Sequence, residues 1–571
     1  MISLATIKKL ALKYQNLLII GLFMLVPMIM LFPFAHAGQM AICSDWAFHS
    51  ARVEQMTENI KAGHWLTFIG TNQFNHLGSA SFLFYPTVFF YPWALLKIAI
   101  HSQVTAYFAF VLLMYWTTLG ISYYSMYQFS KSKLQSVIFA LAYLIVPYHL
   151  YLTLDNYVLG EALAYMFLPL VLLGTWRLLV QHRWKTLAVG LTLVGYCHIV
   201  SVIISIEMIA ALTVIKFILD RKIDWQAVKQ FCYAGVLTLA LVAWELVPFV
   251  TDFHGLFQPA PGFSFATPLG KVITTAVGNQ AVNNGGVGLL AIITLAAGWK
   301  ICRSKTDWVI YGMGALVFVM TTAFVPWHFI VRTPLATVQF PFRYNSFAGL
   351  FLIVIFSKGI CQLMSSTKWS RLLKLSVVAA SCLWLFFGSV QSQLERNQNI
   401  HGDVTVLKPK KSHKYATLHH GVDKPVIVTN QTYQRQFEYG IIYGETDYWP
   451  MAAFNHSAKI LNLRQTYHRQ AGPNKLMFTV KLKHPQAVEL PALKYRRTVA
   501  FDNGHQIAAS ASHRGLVKVH LSEGTHHVTV SYQPARAYTA LMLVAVTVWL
   551  SLIAQQLITS RMQREAGSHG N

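Results

Sequence analysis

Long apolar runs recur along the whole chain and constrain its fold more than any other feature of the sequence. A helix needs about 20 apolar residues to cross the roughly 30 Å hydrocarbon core of a bilayer. Short clusters of lysine and arginine separate the runs, and only 12% of the residues are charged, against about 25% in soluble proteins. The sequence therefore predicts a polytopic α-helical membrane protein and argues against a soluble enzyme.

The positions of the basic clusters predict how often the chain crosses the membrane. All of them can be cytoplasmic only if residues 186–219 cross twice and residues 82–100, which Pro86 and Pro92 interrupt, do not cross. Both termini are then cytoplasmic, and we expect the first span to be an uncleaved signal-anchor. The twelve predicted spans are 17–37, 103–128, 135–152, 159–180, two within 186–219, 228–250, 284–302, 307–326, 343–364, 371–391 and 537–558.

The net charge of +25 fits this arrangement. A nucleic-acid-binding protein gathers its basic residues on one face or stripe, whereas here they fall in short clusters between apolar runs. We therefore expect membrane lipids, and no nucleic acid, among the partners.

A separate domain is predicted between residues 393 and 535, where short alternating apolar segments replace the long runs. Their spacing and the turn sequences between them predict an antiparallel β-sandwich, which the span count places outside the cytoplasm. The predicted organisation is a transmembrane domain at 1–392 with its first outer loop at 38–102, the β-domain at 393–535, and a last helix with a cytoplasmic tail at 536–571. The predicted strands are 426–428, 437–443, 476–482, 516–521 and 527–532.

Carboxylates are few enough to be considered one by one, since only 21 residues are aspartate or glutamate. Twelve of them lie outside residues 393–535, and the predicted topology places six of the twelve on the outer side of the membrane. Acid–base chemistry is therefore expected on that side. The six are Asp45, Glu54, Glu58, Asp155, Glu161 and Asp252.

The first outer loop contains a candidate constellation on one predicted helix. Ser44 is suited to begin this helix and Gly63 to end it. Positions i, i+4 and i+7 share a helix face, so Asp45, His49 and Arg52 would line up. The alternative is an amphipathic helix that lies on the membrane surface, with an aspartate near its N-terminus for dipole reasons.

Further polar groups are predicted at the same membrane face. Glu161 follows Asn156 and enters a span, where an ionisable side chain is costly and is by default a functional candidate. His198 lies at the tip of the helix pair in 186–219, and Arg343 opens the tenth span. Snorkelling of Arg343 to lipid phosphates and a simple turn role for His198 are the alternatives.

Four motifs within the first 390 residues carry a family resemblance. They are Asp45-x3-His49-x2-Arg52 with Gly63-His64-Trp65, Tyr157-x2-Gly160-Glu161-Ala162-Leu163-Ala164, His198 in its helix pair, and Gln339-Phe340-Pro341-Phe342-Arg343. These segments resemble bacterial membrane proteins labelled 6-pyruvoyl-tetrahydropterin synthase-related. In architecture that family is similar to the GT-C superfamily of glycosyltransferases, which use polyprenyl-phosphate sugars.

The resemblance implies a GT-C-like fold and an inverting sugar transfer. Asp45 would correspond to the first-loop acid that acts as catalytic base or metal ligand, and His49 would position it. Asp45 is followed by Trp46, where some metal-dependent relatives have a second acid. The cofactor is therefore unknown, and the use of a divalent metal stays an open question.

The resemblance also implies how the substrate would be bound. Arg343, His198 and Arg52 would stabilise the departing lipid phosphate, while Glu161 would bind sugar or orient a cation. Asn156 is the remaining predicted substrate-binding residue.

Three functions are compatible with these features. The first is a glycosyltransferase that moves a sugar from a polyprenyl-phosphate carrier to a cell-envelope glycopolymer or glycolipid outside the membrane. The second is a transporter or flippase of a lipid-linked precursor, which the in-span acids Glu207 and Glu245 keep open. The third is a non-catalytic envelope assembly protein.

Overall fold

The computed structural model describes residues 14–257, 266–282, 284–399, 425–437, 446–457, 459–460 and 468–568. The chain forms two compact units, each assembled from segments that are far apart in sequence. The first unit comprises residues 1–61, 87–227 and 259–445. The second comprises residues 62–86, 228–258 and 446–571.

Helices dominate the described chain. In chain order they are α1 (Gln15–His36), α2 (Trp46–Lys61), α3 (Ser81–Phe84), α4 (Tyr91–Ala99), α5 (Gln103–Ser130), α6 (Lys133–Leu144), α7 (Pro147–Leu154), α8 (Leu159–Tyr165), α9 (Leu168–Gln181), α10 (Lys185–Gly195), α11 (Ile199–Asp220), α12 (Trp225–Thr251), α13 (Leu269–Val277), α14 (Gly288–Ala297), α15 (Lys305–Met320), α16 (Trp327–Ile330), α17 (Asn345–Ser365), α18 (Arg371–Ser389), α19 (Gln391–Asn399), α20 (Met451–Asn455) and α21 (Arg536–Ser568).

Strands are fewer and short. They are β1 (Gln39–Ile42), β2 (Val426–Thr429), β3 (His468–Gly472), β4 (Lys475–Leu482), β5 (Gln486–Leu493), β6 (Thr498–Asp502), β7 (His505–Ile507), β8 (Ala509–Ala511), β9 (Leu516–Leu521) and β10 (Gly524–Tyr532).

Seven of the described helices are long and apolar enough to cross a membrane: α1, α5, α11, α12, α17, α18 and α21. The pairs α6/α7 and α8/α9 add up to two more, if each bent pair is one span. The protein is thus a polytopic helical membrane protein. Each of the twelve predicted runs contains a helix, but α10, α14 and α15 are short, so the count of twelve stays a prediction.

Two prolines coincide with the bends in these pairs. The axes of α6 and α7 differ by 47° and those of α8 and α9 by 42°. Pro147 begins α7, and Pro169 lies in the first turn of α9. Proline fits the first turn of a helix but cannot continue a preceding one. The short helices α7 and α8 therefore take directions of their own, and both carry residues of the candidate site.

Basic residues end three helices of the first unit in the left-handed conformation. Lys131, His182 and Arg221 follow α5, α9 and α11, with φ of 59°, 53° and 53°. Basic side chains near a helix C-terminus interact favourably with its carbonyls and dipole. At all three ends the main-chain N–H of this residue donates to a carbonyl of the last helical turn.

The region 82–100, which was predicted not to cross, is broken into short pieces. Its longest helix, α4, has nine residues, fewer than the roughly 20 that a span needs. By contrast, residues 186–219 form two helices as predicted, and α10 packs closely on α9. A side chain at Gly174 would lie 2.5 Å from the backbone of Leu187, so this approach requires glycine.

Two antiparallel sheets of the second unit share one hydrophobic core. The five-stranded sheet has the order β3-β4-β10-β6-β7 and the three-stranded sheet the order β5-β9-β8. Buried residues of both sheets, among them Phe478, Val519 and Val528, belong to a single apolar cluster. Asn503 and Gly504, with φ of 48° and 87°, form the tight turn between β6 and β7.

The observed strands agree only in part with those predicted for the β-domain at 393–535. The predicted strands 476–482, 516–521 and 527–532 coincide with β4, β9 and β10, whereas 438–443 lies outside the described residues. β2, at the predicted 426–428, belongs to the first unit, where it pairs with β1. The two-sheet fold begins only at β3, because the preceding strand is paired elsewhere.

A buried histidine should make the two-sheet fold pH-sensitive. The Asp502 carboxylate, 2.7 Å from His526 Nδ1, raises the pKa of His526. Such a group stabilises the fold fully below its unfolded pKa of about 6.5, and that stabilisation is lost as pH rises through the folded value. We expect hydrogen-exchange protection of β6 and β10, corrected for intrinsic rates, to fall between pH 6 and 8.

The matched variants are His526→Gln and its exposed neighbour His527→Gln. The His526 variant should lose this pH dependence, and the His527 variant should keep it. Equal pH dependence in both variants would contradict the assignment.

Candidate active site

Asp45 lies directly before α2 and is only partly buried, while the helix behind it is enclosed. The His49 N–H donates to the Asp45 main-chain carbonyl at 3.1 Å, so Asp45 occupies the position that begins the helix. Ser44, the predicted first residue, adopts φ of 48°. His49 and Arg52 are 0% and 1% exposed. The protein therefore encloses most of α2, and the functional constellation and the position of α2 relative to the membrane surface both stay predictions.

His49 and Arg52 are on one side of α2, as the spacing predicted, and both contact the same ring. The His49 imidazole stacks on Phe90 with centroids 5.2 Å apart. The Arg52 guanidinium carbon lies 5.2 Å from the Phe90 centroid, a cation–π geometry. Seven residues of helix, about 10 Å, separate Arg52 from Asp45. Arg52 is thus placed with His49 rather than beside the Asp45 carboxylate.

Glu161 and Arg343 form a buried ion pair. Arg343 Nε lies 3.4 Å from Glu161 Oε2, and the two side chains are 10% and 3% exposed. The Tyr148 hydroxyl donates to Glu161 Oε1 at 2.7 Å, and Ser346 Oγ lies 3.4 Å from the same oxygen. These contacts give the carboxylate several partners, as a buried charge requires.

The guanidinium of Arg343 is also held from its own loop. Its Nη1 donates to the Val338 carbonyl at 3.0 Å and to Gln339 Oε1 at 2.8 Å. The guanidinium carbon lies 5.1 Å from the Phe340 centroid. Arg343 sits in the short turn Pro341–Tyr344 that leads into α17. Its direction is therefore fixed by the loop and not by snorkelling to lipid.

Electrostatics connects Asp45 to this pair. Burial raises the pKa of Asp45 to about 6, against a lowering by Arg343 and the Ser44 hydroxyl and a further raising by Glu161. Burial, followed by the charge of Arg52 and the effect of His198, lowers the pKa of His49 well below its usual range. Asp45 is thus largely ionised and His49 neutral at pH 7.

The remaining predicted residues occupy different positions around this centre. His198 precedes α11, is buried, and has Nδ1 2.9 Å from Ser201 Oγ. It interacts electrostatically with Arg343 and His49. Asn156 meets Asp45 through the main chain, where its carbonyl accepts from the Asp45 N–H at 3.4 Å.

Residues 425–437, which we call the clamp segment, hold α2 in place. Gln436 Oε1 accepts from the Trp46 indole N–H at 2.7 Å, and Gln434 donates to Glu54 Oε1 at 2.9 Å. Glu54 also pairs with Lys97 Nζ at 2.5 Å, and that ammonium lies 4.1 Å from the Tyr433 ring centroid. The clamp segment thus supplies partners for polar groups of α2 that no longer face water.

Nothing in the local sequence pattern points to the clamp segment as part of the site. More than 300 residues separate Gln436 from Trp46 and Tyr433 from Lys97. Asp155 likewise pairs with Arg396 and accepts from Gln393 of α19, both more than 200 residues away. Asp155, one of the six predicted outer acids, is therefore engaged by two residues of α19.

The described residues contain no group of three or more histidine, cysteine, aspartate or glutamate side chains placed to hold a metal ion. The divalent metal considered from the resemblance stays a hypothesis.

No family model matches the chain, and no curated protein matches it. Among solved structures it is similar to ArnT from Cupriavidus metallidurans bound to undecaprenyl phosphate, with 11% identity, a TM-score of 0.48, and coverage of 89% of this chain and 98% of that one. For ArnT in the apo state the identity is 12% and the TM-score 0.44, with the same coverage. Mycobacterial arabinofuranosyltransferase AftD has 16% identity, a TM-score of 0.38, and coverage of 66% of this chain and 27% of that one.

Fold and site together define a polytopic helical membrane protein with a buried cluster of acidic, basic and imidazole side chains. The resemblance to the 6-pyruvoyl-tetrahydropterin synthase-related family stays a hypothesis, since no family model matches.

The buried ion pair of Glu54 and Lys97 allows a stability test of the contacts that hold α2. Lys97→Met leaves the Glu54 carboxylate buried without its cation, which costs about 3–5 kcal/mol. The double variant Lys97→Met/Glu54→Gln removes both charges and should recover most of that loss. Thermal unfolding of the purified protein in detergent measures both effects.

Lys61→Met is the matched control, since Lys61 is exposed at the end of α2. Its effect should stay within about 0.5 kcal/mol. A double variant as unstable as Lys97→Met alone would contradict the account.

Proposed function

We propose that the protein is a membrane glycosyltransferase that transfers a sugar from a polyprenyl-phosphate carrier to a cell-envelope glycopolymer or glycolipid on the outer face. The observation that carries the proposal is the Asp45 carboxylate, with a pKa of about 6, within electrostatic range of an arginine held by Glu161. A base and a fixed cation are the two groups that an inverting displacement from a sugar phosphate needs.

The proposed topology follows the sequence prediction. It is a GT-C-like fold with twelve spans, cytoplasmic termini and an extracytoplasmic C-terminal β-domain. A lipid-linked donor suits a site built by membrane helices, because α8 and α17 carry Glu161 and Ser346.

Asp45 acts as the general base in this proposal. The acceptor hydroxyl oxygen attacks the anomeric carbon and gives its proton to Asp45, while the bond from that carbon to the phosphate oxygen breaks. The electron pair of the broken bond leaves with the polyprenyl phosphate. A pKa of about 6 suits a base at neutral pH, because the group is ionised yet still basic. His49, neutral and one helical turn away, positions Asp45.

Arg343 binds the departing phosphate. Its Nε and Nη1 are engaged by Glu161, Val338 and Gln339. Within the described part of the chain its Nη2 has no hydrogen-bond partner, so its N–H donors can meet phosphate oxygens. His198 and Arg52 add polar groups and positive charge from α11 and α2, and Asn156 completes the proposed substrate contacts.

Glu207, one of the two acids behind the flippase hypothesis, has a hydrogen-bond partner in the structure. Its Oε2 accepts from the Tyr344 hydroxyl at 2.8 Å, next in sequence to Arg343. This bond ties the carboxylate of α11 to the turn that holds Arg343, so Glu207 has a structural role in the proposed site.

Replacement of the proposed base tests the function directly. Asp45→Asn should lower the transfer rate by about 10²–10⁴-fold, because general-base catalysis contributes that much. The measurement is mass spectrometry of envelope polymers from a deletion strain complemented with each variant. Glu58→Gln, the same chemical change on α2, should complement fully.

Accumulation of undecorated polymer with unused lipid-linked sugar on the outer leaflet is the expected result. Full complementation by well-folded Asp45→Asn would overturn the transferase. Precursor trapped on the inner leaflet would support the flippase instead.

The pH dependence of transfer should shift in opposite directions in two variants. Activity rises as Asp45 loses its proton, with a midpoint near pH 6 in the unaltered protein. Glu161 raises the pKa of Asp45, so Glu161→Gln should move this acid limb to lower pH. Arg343 lowers it, so Arg343→Gln should move the limb to higher pH. The limb is read from kcat/KM against pH with purified enzyme.

The position of the limb, not the amplitude, is the decisive quantity, since both variants also lose activity. Shifts of the same sign, or none, would mean that Asp45 is not the titrating base.

A further inference from the structure

An apolar cavity lies between helices of the first unit, and its lining is separate from the residues of the candidate active site. It has a volume of about 270 Å³ and is lined mainly by α5, α9, α11 and α15. Its walls include Phe129, Leu172, Trp176, Leu212 and Val309. Its lining extends along α9 from Pro169 to Val180, and none of Asp45, Glu161 or Arg343 belongs to it. The cavity therefore does not belong to the acid–base cluster.

The cavity continues into a polar depression at the helix ends. This depression has a volume of about 420 Å³ and shares Val180, Lys216 and Asp220 with the cavity. Its lining adds Lys222 from the loop between α11 and α12, and Trp225, the first residue of α12. An apolar compartment that opens into a charged one matches the two parts of a phospholipid, an acyl chain and a headgroup.

Positive charge exceeds negative charge where the two compartments meet. Lys216 forms an ion pair with Asp220, and the same carboxylate is within electrostatic range of Lys222 and Lys305. Three ammonium groups thus share one aspartate. Basic pockets between membrane helices at the cytoplasmic side are suited to acidic lipid headgroups.

The other aspartate of the depression is already engaged. Asp224 Oδ1 accepts from the Ala227 N–H at 3.0 Å at the start of α12, and Oδ2 lies 3.8 Å from His182 Nε2. The two compartments together therefore carry three lysines against two aspartates.

An exposed tryptophan marks the level of the membrane surface here. Trp225 is 72% exposed, and tryptophan is enriched at the interface between hydrocarbon and water. His182, which ends α9, lines the same depression as Trp225, and this arrangement fits a position at the level of the lipid headgroups.

We propose that the cavity and the depression form a binding site for an anionic phospholipid of the surrounding membrane. One acyl chain occupies the space beside Leu172, and the phosphodiester lies between Lys222 and Lys305. This site is independent of the proposed transferase chemistry.

The test uses the full-length protein in detergent, with phosphatidylglycerol, phosphatidylcholine and sn-glycerol 1-phosphate as probes. Binding is followed by native mass spectrometry and by the shift in unfolding temperature. Phosphatidylglycerol should bind and stabilise. Phosphatidylcholine should bind more weakly because it lacks net charge, and glycerol phosphate should not stabilise because it lacks acyl chains.

Two variants address the two compartments separately. Lys222→Gln/Lys305→Gln should weaken phosphatidylglycerol binding by about 10- to 30-fold, since each lysine near an anionic lipid surface strengthens binding by about fivefold. Leu172→Trp should reduce binding of both lipids by filling the cavity. Lys300→Gln/Lys368→Gln removes the same charge from exposed positions outside the cavity and should bind as the unaltered protein does.

Equal binding of the two lipids, or equal losses in the two double-lysine variants, would overturn the proposal. Stabilisation by glycerol phosphate alone would show a free anion site in place of a lipid site. The unfolding temperature of each variant without added lipid shows whether that variant is folded. Leu172→Trp tests the site without altering any charge.

Discussion

The buried ion pair between Glu161 and Arg343 is the interaction on which the helical unit depends. A charged side chain inside a membrane protein is costly, by about 3 kcal/mol even on insertion scales, so each partner needs the other. The pair obtains further support from Tyr148 on α7 and Gln339 before α17. Elements distant in sequence therefore meet at one point, and the bends after α6 and α8 let short helices reach it.

Hydropathy and charge were sufficient to predict where the helices lie, because each apolar run must form its backbone hydrogen bonds within itself. The scarcity of carboxylates was equally informative, since it led to Asp45 and Glu161 without knowledge of the fold. The chemical role assigned to these residues remains a proposal. Their proximity could not be read from spacing, because Arg343 approaches through a turn far along the chain.

The environment of α2 shows where pattern reasoning fails. The sequence left open an amphipathic helix on the membrane surface, whereas Arg52 and Glu54 are both buried in the structure. In the structure, Gln434 and Lys97 contact the Glu54 carboxylate, and Gln436 accepts from the Trp46 indole N–H. Burial by distant segments leaves no periodic signal, and for the same reason the predicted domain boundary at residue 393 did not anticipate β2 pairing with β1.

That pairing has a consequence for the order of events during synthesis. β1 precedes Asp45, yet its partner strand and Gln436 emerge from the ribosome nearly 400 residues later. Until then the indole N–H of Trp46 and the edge of β1 lack their final partners. The segment around Trp46 must therefore remain without these contacts until residue 436 has been translated, so the acid–base cluster reaches its final form only after that point.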